Sequence, residues 1–324
     1  MATPRKAQII LSQTKHYHCM IRCVRQARIC GFDKFSGQNY EHRRKWIESR
    51  LFRLAKVFTI EICAYAIMHN HAHFVLHVDD NLAYSLDRTT ILKRWSLIHK
   101  LTPLQVTYLC KGTSALTDDE KSKVYRDIEF IRLKLFSIAW FMKDLNQYIA
   151  VKANKEDGCV GKFWESRYKS QALLDERALL ACMVYVDLNP IRAGIASSLE
   201  QSHYTSIQKR VLQIKSHWQP TQLKPLTDKR SSNSRAIPMD LKAYIQVVTE
   251  TSGMVYSPHD KVIQFPLSQL GFAPTEWRKL TSKFESLFGY VVGASDALIE
   301  FKQHVNLSKI RGMGAANEVF LNTN

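Results

Sequence analysis

The sequence predicts an α+β fold: an antiparallel sheet flanked by helices, followed by a mostly helical C-terminal extension. Three observations carry this. Residues 16–26, 58–68 and 71–78 read as strands, in which side chains of alternate parity fall on opposite faces. Residues 42–57, between them, repeat apolar side chains at helical spacing, and beyond residue 237 the patterns are mostly helical. At 324 residues and 45% apolar content, the chain suffices for a substantial core, with two domains or one domain plus an extension expected.

Composition narrows the function classes. No apolar run approaches the roughly 18 residues of a membrane span, and the first residues lack a signal-peptide apolar region, so a soluble, cytoplasmic protein is expected. Seven cysteines without even spacing argue against a disulfide framework. The net charge is +17 with a pI near 9.6, and the first sixty residues hold thirteen Lys and Arg against three acids. Such a bias calls for a polyanionic partner. Nucleic acid, hence nucleoid association, is favoured over a membrane surface, because no basic anchor helix or lipidation motif is present.

The first strand, 16–26, places Cys19, Ile21 and Cys23 on one parity and Met20, Arg22 and Val24 on the other, with Arg22 and Arg25 available to a polyanion. Cys19, Cys23 and Cys30 match no zinc spacing and read as core thiols. In the helix over 42–57, Trp46, Ile47, Leu51, Leu54 and Ala55 face inward and Arg43, Arg44, Lys45, Arg50, Arg53 and Lys56 cover the rest. A second strand over 58–68 turns at His69-Asn70 into a third over 71–78; strand, helix and hairpin make the first half of a ferredoxin-like unit. A helix is expected over 81–100, then an irregular insertion near 101–116 containing Pro103 and Gly112. Thr117 to Glu120 resembles a capping box opening a long helix to about Asn154, with a break near Phe130.

Residues 158–170 read as a strand in which Lys162, Trp164, Arg167 and Lys169 interleave aromatic and cationic side chains, suited to single-stranded nucleic acid; the same pattern also fits an amphipathic strand with its rings in the core. Asp175 caps a helix over 176–189 that Pro190 ends. Tyr185 and Asn189 stand four apart on one face, above the small residues Ala178, Ala181 and Cys182. The polar stretch 211–236 reads as a linker between a domain over 1–210 and a helical domain over 237–324, in which the segments flanking Gly271 to Pro274 suggest a DNA-binding helix-turn-helix.

The stretch Met68 to His77 holds His69, His71, His73 and His77 at one parity. His71 and His73 share a strand face, where two imidazoles either grip one metal ion or form an ordinary surface pair.

Met68-His69-Asn70-His71-Ala72-His73-Phe74 resembles the His-hydrophobe-His motif of the single-tyrosine HUH transposases. Gly161 to Ser170 and Tyr185-Val186-Asp187-Leu188-Asn189-Pro190-Ile191-Arg192-Ala193-Gly194 resemble the other two signatures of the branch associated with repeated extragenic palindromes (REP), in matching order and over roughly residues 10–210. The family often has proline where this chain has His69. The resemblance implies an HUH nuclease core, with Tyr185 as nucleophile and His71, His73 and Asn189 as ligands to Mg²⁺ or Mn²⁺. It further implies a single-stranded DNA substrate with hairpin or palindromic elements, a covalent 5′-phosphotyrosine, no nucleotide cofactor, and a monomer or homodimer. Arg22, Arg25, Lys162, Trp164, Arg167, Lys169 and Arg192 are then the expected DNA contacts. Rival readings are a domesticated, non-cleaving DNA hairpin-binding protein, a metal-dependent hydrolase using water, and an RNA-binding module.

Overall fold

The computed structural model describes residues 8–24, 30–33, 37–214, 219–227, 236–256, 264 and 267–320. Arg25, expected at the DNA surface, lies outside them. The chain forms two compact units, one of residues 1–45, 62–77 and 162–324, the other of residues 46–61 and 78–161.

The strands are β1 (His16–Arg22), β2 (Ile60–Ile67), β3 (His71–Val78), β4 (Lys169–Leu173), β5 (Leu226–Thr227), β6 (Ile237–Pro238) and β7 (Val291–Val292). They build an α+β fold around a mixed five-stranded sheet in the order β2-β3-β1-β4-β7, with β5 and β6 as a separate parallel pair. β1 runs antiparallel to both β3 and β4, and β7 parallel to β4. Opposed residues share a face of a sheet. Register therefore fixes the site: Met20 opposes His73, Arg22 opposes His71, and on β4 His18 opposes Gln171 and Met20 opposes Lys169. The other face presents Tyr17, Cys19, Ile21, Ala72, Phe74 and Ala172, all buried.

β1 is shorter than the sequence suggests, and the expected strand over 158–170 is a true strand only from Lys169. Phe163 to Glu165 meets the end of β1 through one bridge, Cys23 to Trp164, flanked by bonds from Val24 N to Phe163 O and Glu165 N to Arg22 O.

Helix α1 (His42–Val57) buries Ile47, Leu51 and Leu54 as its stripe predicts. Arg43 and Arg44 are nevertheless buried, against the expectation of a solvated basic face. The first turn abuts the end of β2, where Arg44 donates to Ile67 O at 2.7 Å and His203 O at 2.6 Å and pairs with Glu41; Arg43 lies 4.0 Å from the Tyr40 ring centroid.

The second unit is helical: α2 (Asp80–Ser85), α3 (Arg88–Ser96), α4 (Pro103–Lys111), α5 (Asp118–Leu135) and α6 (Ile138–Glu156). The single helix expected over 81–100 is two, because Asp79 and Asp87 each cap a start. The region read as irregular contains α4, opened by a capping box between Thr102 and Gln105 with Pro103 in its first turn, where its missing N–H does no harm. The long helical region breaks at Phe136-Ser137, not near Phe130, and Ser137 caps the second part. Phe58, Trp95 and Phe141 pack edge to face at its centre.

In the first unit follow α7 (Glu176–Asp187), α8 (Asn189–Arg192), α9 (Ser206–Ile214), α10 (Leu241–Tyr256), α11 (Pro274–Leu287), α12 (Ser295–His304) and α13 (Met313–Val319). Pro190 does more than end a helix: it sits in the first turn of α8 after a break at Leu188. Residues 237–324, expected as a separate helical domain, fall in the same compact unit as the sheet; β7 pairs with β4, and α11 packs on α7. Part of the expected linker is also tied in, by Lys224 N to Ile62 O at 2.8 Å and by β5 pairing with β6. Leu267–Leu270 is a single 3₁₀ turn, too short for the first helix of a helix-turn-helix. Asp187, fully buried, anchors α7 by accepting from Ser206 Oγ, Ile207 N and Tyr244 Oη.

Candidate functional site

His18 and His73 project from adjacent strands onto the same face, their rings nearly parallel with centroids 5.2 Å apart, and His18 Nε2 lies 3.0 Å from His73 Nδ1. Gln171 sets the protonation pattern. Its Nε2 donates to Gly289 O at 2.7 Å, which turns its Oε1 toward His18 Nδ1 at 3.0 Å. The network thus assigns the His18 proton to Nδ1 and leaves the Nε2 lone pair facing the cluster, with His73 Nδ1–H donating to it. Burial holds both imidazoles neutral: it lowers His18 and, helped by the neighbouring imidazoles and by Arg192 and Arg22, takes His73 well below the usual histidine value. His71 stands edge-on to His73 with centroids 5.0 Å apart, its Nδ1 2.6 Å from Asn70 Oδ1, and burial and Arg22 push its pKa down to about 4.

Tyr185 enters over this face from the last turn of α7. Asp175 fixes the other end of that helix, accepting from Ala178 N at 2.8 Å and from Ala294 N at 2.7 Å. The Tyr185 hydroxyl donates to Glu285 Oε1 at 3.0 Å; its ring stacks on Phe284 at 5.6 Å and meets His73 edge-on at 6.0 Å. Arg192 also lies over the ring, with its guanidinium 4.1 Å from the centroid, donating to Tyr185 O and Thr281 O. Burial and the Glu285 carboxylate raise the phenol pKa, while Arg192 pulls it down. Burial lowers Arg192 itself to about 10.

Of the residues singled out from sequence, the fold brings His71, His73, Tyr185 and Arg192 into one neighbourhood. Asn189 is buried at the start of α8, with its Nδ2 unpartnered. Among the described residues the group with metal-ligand spacing is His18, His73 and Glu285, whose ligand atoms lie within 4.8 Å of one another. His69 instead pairs with Glu41 at 3.5 Å, and His77 meets the His16 ring at a tilt, centroids 4.7 Å apart, and Lys224 Nζ at 3.3 Å. Arg22, Arg167 and Lys169 are exposed and, with His71, His73 and Glu285, line a cavity of ≈ 350 Å³. Lys162 is exposed, Trp164 is half-buried against Phe163, and Arg192 points inward, its fork occupied by carbonyls.

Sequence reasoning missed His18 and Glu285. His18 shares the parity of Met20 and Arg22, a legible signal, but only strand register sets it beside His73. Glu285 lies 100 residues beyond Tyr185 in a segment without a motif.

No family model matches this chain, and no curated protein matches it. Among solved structures, that of a REP-associated tyrosine transposase bound to a REP hairpin is similar over 72% of this chain and 97% of the other, at 11% identity and a TM-score of 0.34. A likeness of that degree carries no argument for fold or function. No described helix is long and apolar enough to cross a membrane.

Proposed function

We propose that this protein is a metal-dependent endonuclease and strand transferase that cuts and rejoins single-stranded, hairpin-bearing DNA through a covalent 5′-phosphotyrosine on Tyr185. The observation that carries the reading is the meeting of the Tyr185 ring with buried His73, beside a carboxylate that lines a cavity rimmed by Arg22, Arg167 and Lys169. Two further features support it. The strand order β2-β3-β1-β4, antiparallel about β1, supports the reading of a ferredoxin-like core. The three stretches that resemble transposase signatures supply His73, Lys169 and Tyr185 to this one face.

A tyrosine ester conserves the energy of the broken phosphodiester, so the strand can be rejoined without a nucleotide cofactor. Tyr185 Oη attacks the scissile phosphorus in line, the 3′-oxygen leaves as a hydroxyl, and a later 3′-hydroxyl reverses the step. The phenol must lose its proton on attack; it already faces the Glu285 carboxylate, whose oxygen not engaged by an ion would accept that proton. Phe284 and Arg192 both pack on the ring and restrict its motion, which limits the direction of attack. Arg22, Arg167 and Lys169 hold the flanking phosphates, an affinity that falls steeply with salt.

The residues present fit a divalent ion. Burial keeps His18 and His73 neutral, Gln171 orients the His18 Nε2 lone pair, His73 would offer Nδ1 on shifting its proton to Nε2, and Glu285 adds a negative oxygen. His73 is common to this set and to the set implied by motif resemblance, His71, His73 and Asn189; we assign His18, His73 and Glu285 as principal ligands. Such an ion supplies charge stabilisation at a phosphate oxygen, and nitrogen donors favour Mn²⁺ over Mg²⁺.

The test is incubation with hairpin oligonucleotides and Mg²⁺ or Mn²⁺, then denaturing electrophoresis and mass spectrometry of the adducted peptide. A DNA adduct on the Tyr185 peptide is expected. Cleavage to free ends without an adduct would instead indicate water as nucleophile, tight binding without cleavage a hairpin-binding protein, and preference for RNA an RNA module.

A further inference from the structure

A second cavity, of ≈ 440 Å³, lies on the same sheet face and shares Met20, Ser166, Arg167, Lys169 and Glu285 with the one beside His73. One side is formed by β4, the residues leading into it and Met20, with Gln8 held there by Ser170 Oγ at 3.0 Å. Facing it, besides Glu285, is a part of the C-terminal segment that the motifs leave without a role: Phe288, Gly289 and Tyr290, just beyond α11, and Arg311. Its volume falls in the range of small-molecule sites, and its wall chemistry is that of a nucleotide site. Arg167, Lys169 and Arg311 are exposed cations at its edge, and Tyr290 is a half-buried ring, in edge contact with Phe301 at 6.3 Å, with its remaining surface available. Polar groups of Ser166, Ser170 and Gln171 line it as well.

The wall is held in register with the catalytic face. Gln171 links them, its Oε1 accepting from His18 Nδ1–H and its Nε2 donating to Gly289 O, while Ala172 N donates to Tyr290 O at 2.8 Å. Glu285 borders both cavities and receives the Tyr185 hydroxyl, so this cavity adjoins the partner of the proposed nucleophile.

Resting on the function proposed above, we infer that this cavity is a nucleotide subsite: it takes the unpaired DNA nucleotide adjoining the scissile phosphate, with its base on Tyr290 and its phosphate at Arg167, Lys169 and Arg311. The C-terminal segment then selects where the strand is cut. Base stacking on an aromatic ring is strong enough to be read in a binding curve, and removing one base is expected to weaken binding about tenfold.

The experiment uses the full chain as Tyr185→Phe, so that binding is measured without cleavage, and fluorescent hairpins whose single-stranded flank carries one abasic site at successive positions. One position should weaken binding about tenfold, and adding Tyr290→Ala should abolish that penalty while leaving the other positions unchanged. Arg311→Glu, at an exposed site where folding is not at risk, should weaken binding of flanked hairpins and spare hairpins cut flush. A flat abasic profile in a protein that binds hairpins, or a penalty indifferent to both Tyr290→Ala and Arg311→Glu, overturns the subsite alone. Failure of every oligonucleotide to bind the unsubstituted chain overturns the proposed function and the subsite with it.

Discussion

Replacing Tyr185 by Phe removes one oxygen and retains the ring. The stack on Phe284, the edge contact with His73 and the cover by Arg192 all survive the change, since each is made by the ring. What is lost is the bond to Glu285 Oε1. A hydrogen bond to a charged group contributes about 1.5–3 kcal/mol when sequestered. The Glu285 side chain is 33% exposed, so water replaces the phenol and the net loss is about 1 kcal/mol or less. In a chain of this size that is a fall of at most about 4 °C in Tm. Activity should respond quite differently: the covalent adduct should vanish, while hairpin binding at fixed salt stays within about twofold, the phosphate contacts being untouched. Thermal melts, fluorescence anisotropy and denaturing gels read the three quantities. An adduct that persists in Tyr185→Phe refutes the assignment and directs attention to Tyr168. A fall in stability much beyond about 3 kcal/mol would show that the hydroxyl is part of the core.

The remaining predictions concern the ion, the cations and pH. Mn²⁺ binding measured by calorimetry should weaken at least tenfold in His73→Ala and in Glu285→Gln, and by about 10- to 100-fold in Gln171→Met, which frees the His18 ring; greater sensitivity to Asn189→Ala than to Glu285→Gln would move the ion to the other set. Arg167→Ala should lower the salt slope of DNA binding by about 0.7 to 0.9 and leave stability unchanged. Arg44→Met should do the reverse, sparing the slope but costing about 2–4 kcal/mol in urea unfolding, because Ile67 O and His203 O lose their donor. Burial raises the Asp187 carboxyl from 3.8 to about 6, so the fold holds that proton more tightly than the unfolded chain does. Stability from this group is therefore full below pH 4 and lost as pH rises through 6, by about 3 kcal/mol. Subtracting the urea-unfolding profile of Asp187→Asn from that of the unsubstituted chain should reveal this slope between pH 4 and 6, and a difference independent of pH would refute it.

Much of this architecture is legible in the chain because it depends on local periodicity. The stripe of α1, the alternation of β1 and β3 and the Asp175 cap each follow from residues within one or two turns of one another. Local patterns fail where the partner is distant. Arg43 and Arg44 count as surface charge by sequence, yet the end of β2 and a carbonyl some 160 residues away bury Arg44. The C-terminal segment reads as a separate helical domain because a two-residue strand leaves almost no periodic signal, although its pairing with β4 joins the segment to the sheet.

The same division runs through the site. The sequence by itself determined that His71 and His73 share a strand face, and that a tyrosine follows on a capped helix, because side-chain direction within one element is set by its own backbone geometry. Only the tertiary structure decided that His18, across one strand pairing, and Glu285, from the last quarter of the chain, stand beside His73 and Tyr185. Strand register and helix packing are settled by burial of whole faces, and no short stretch of sequence contains both sides of such a contact.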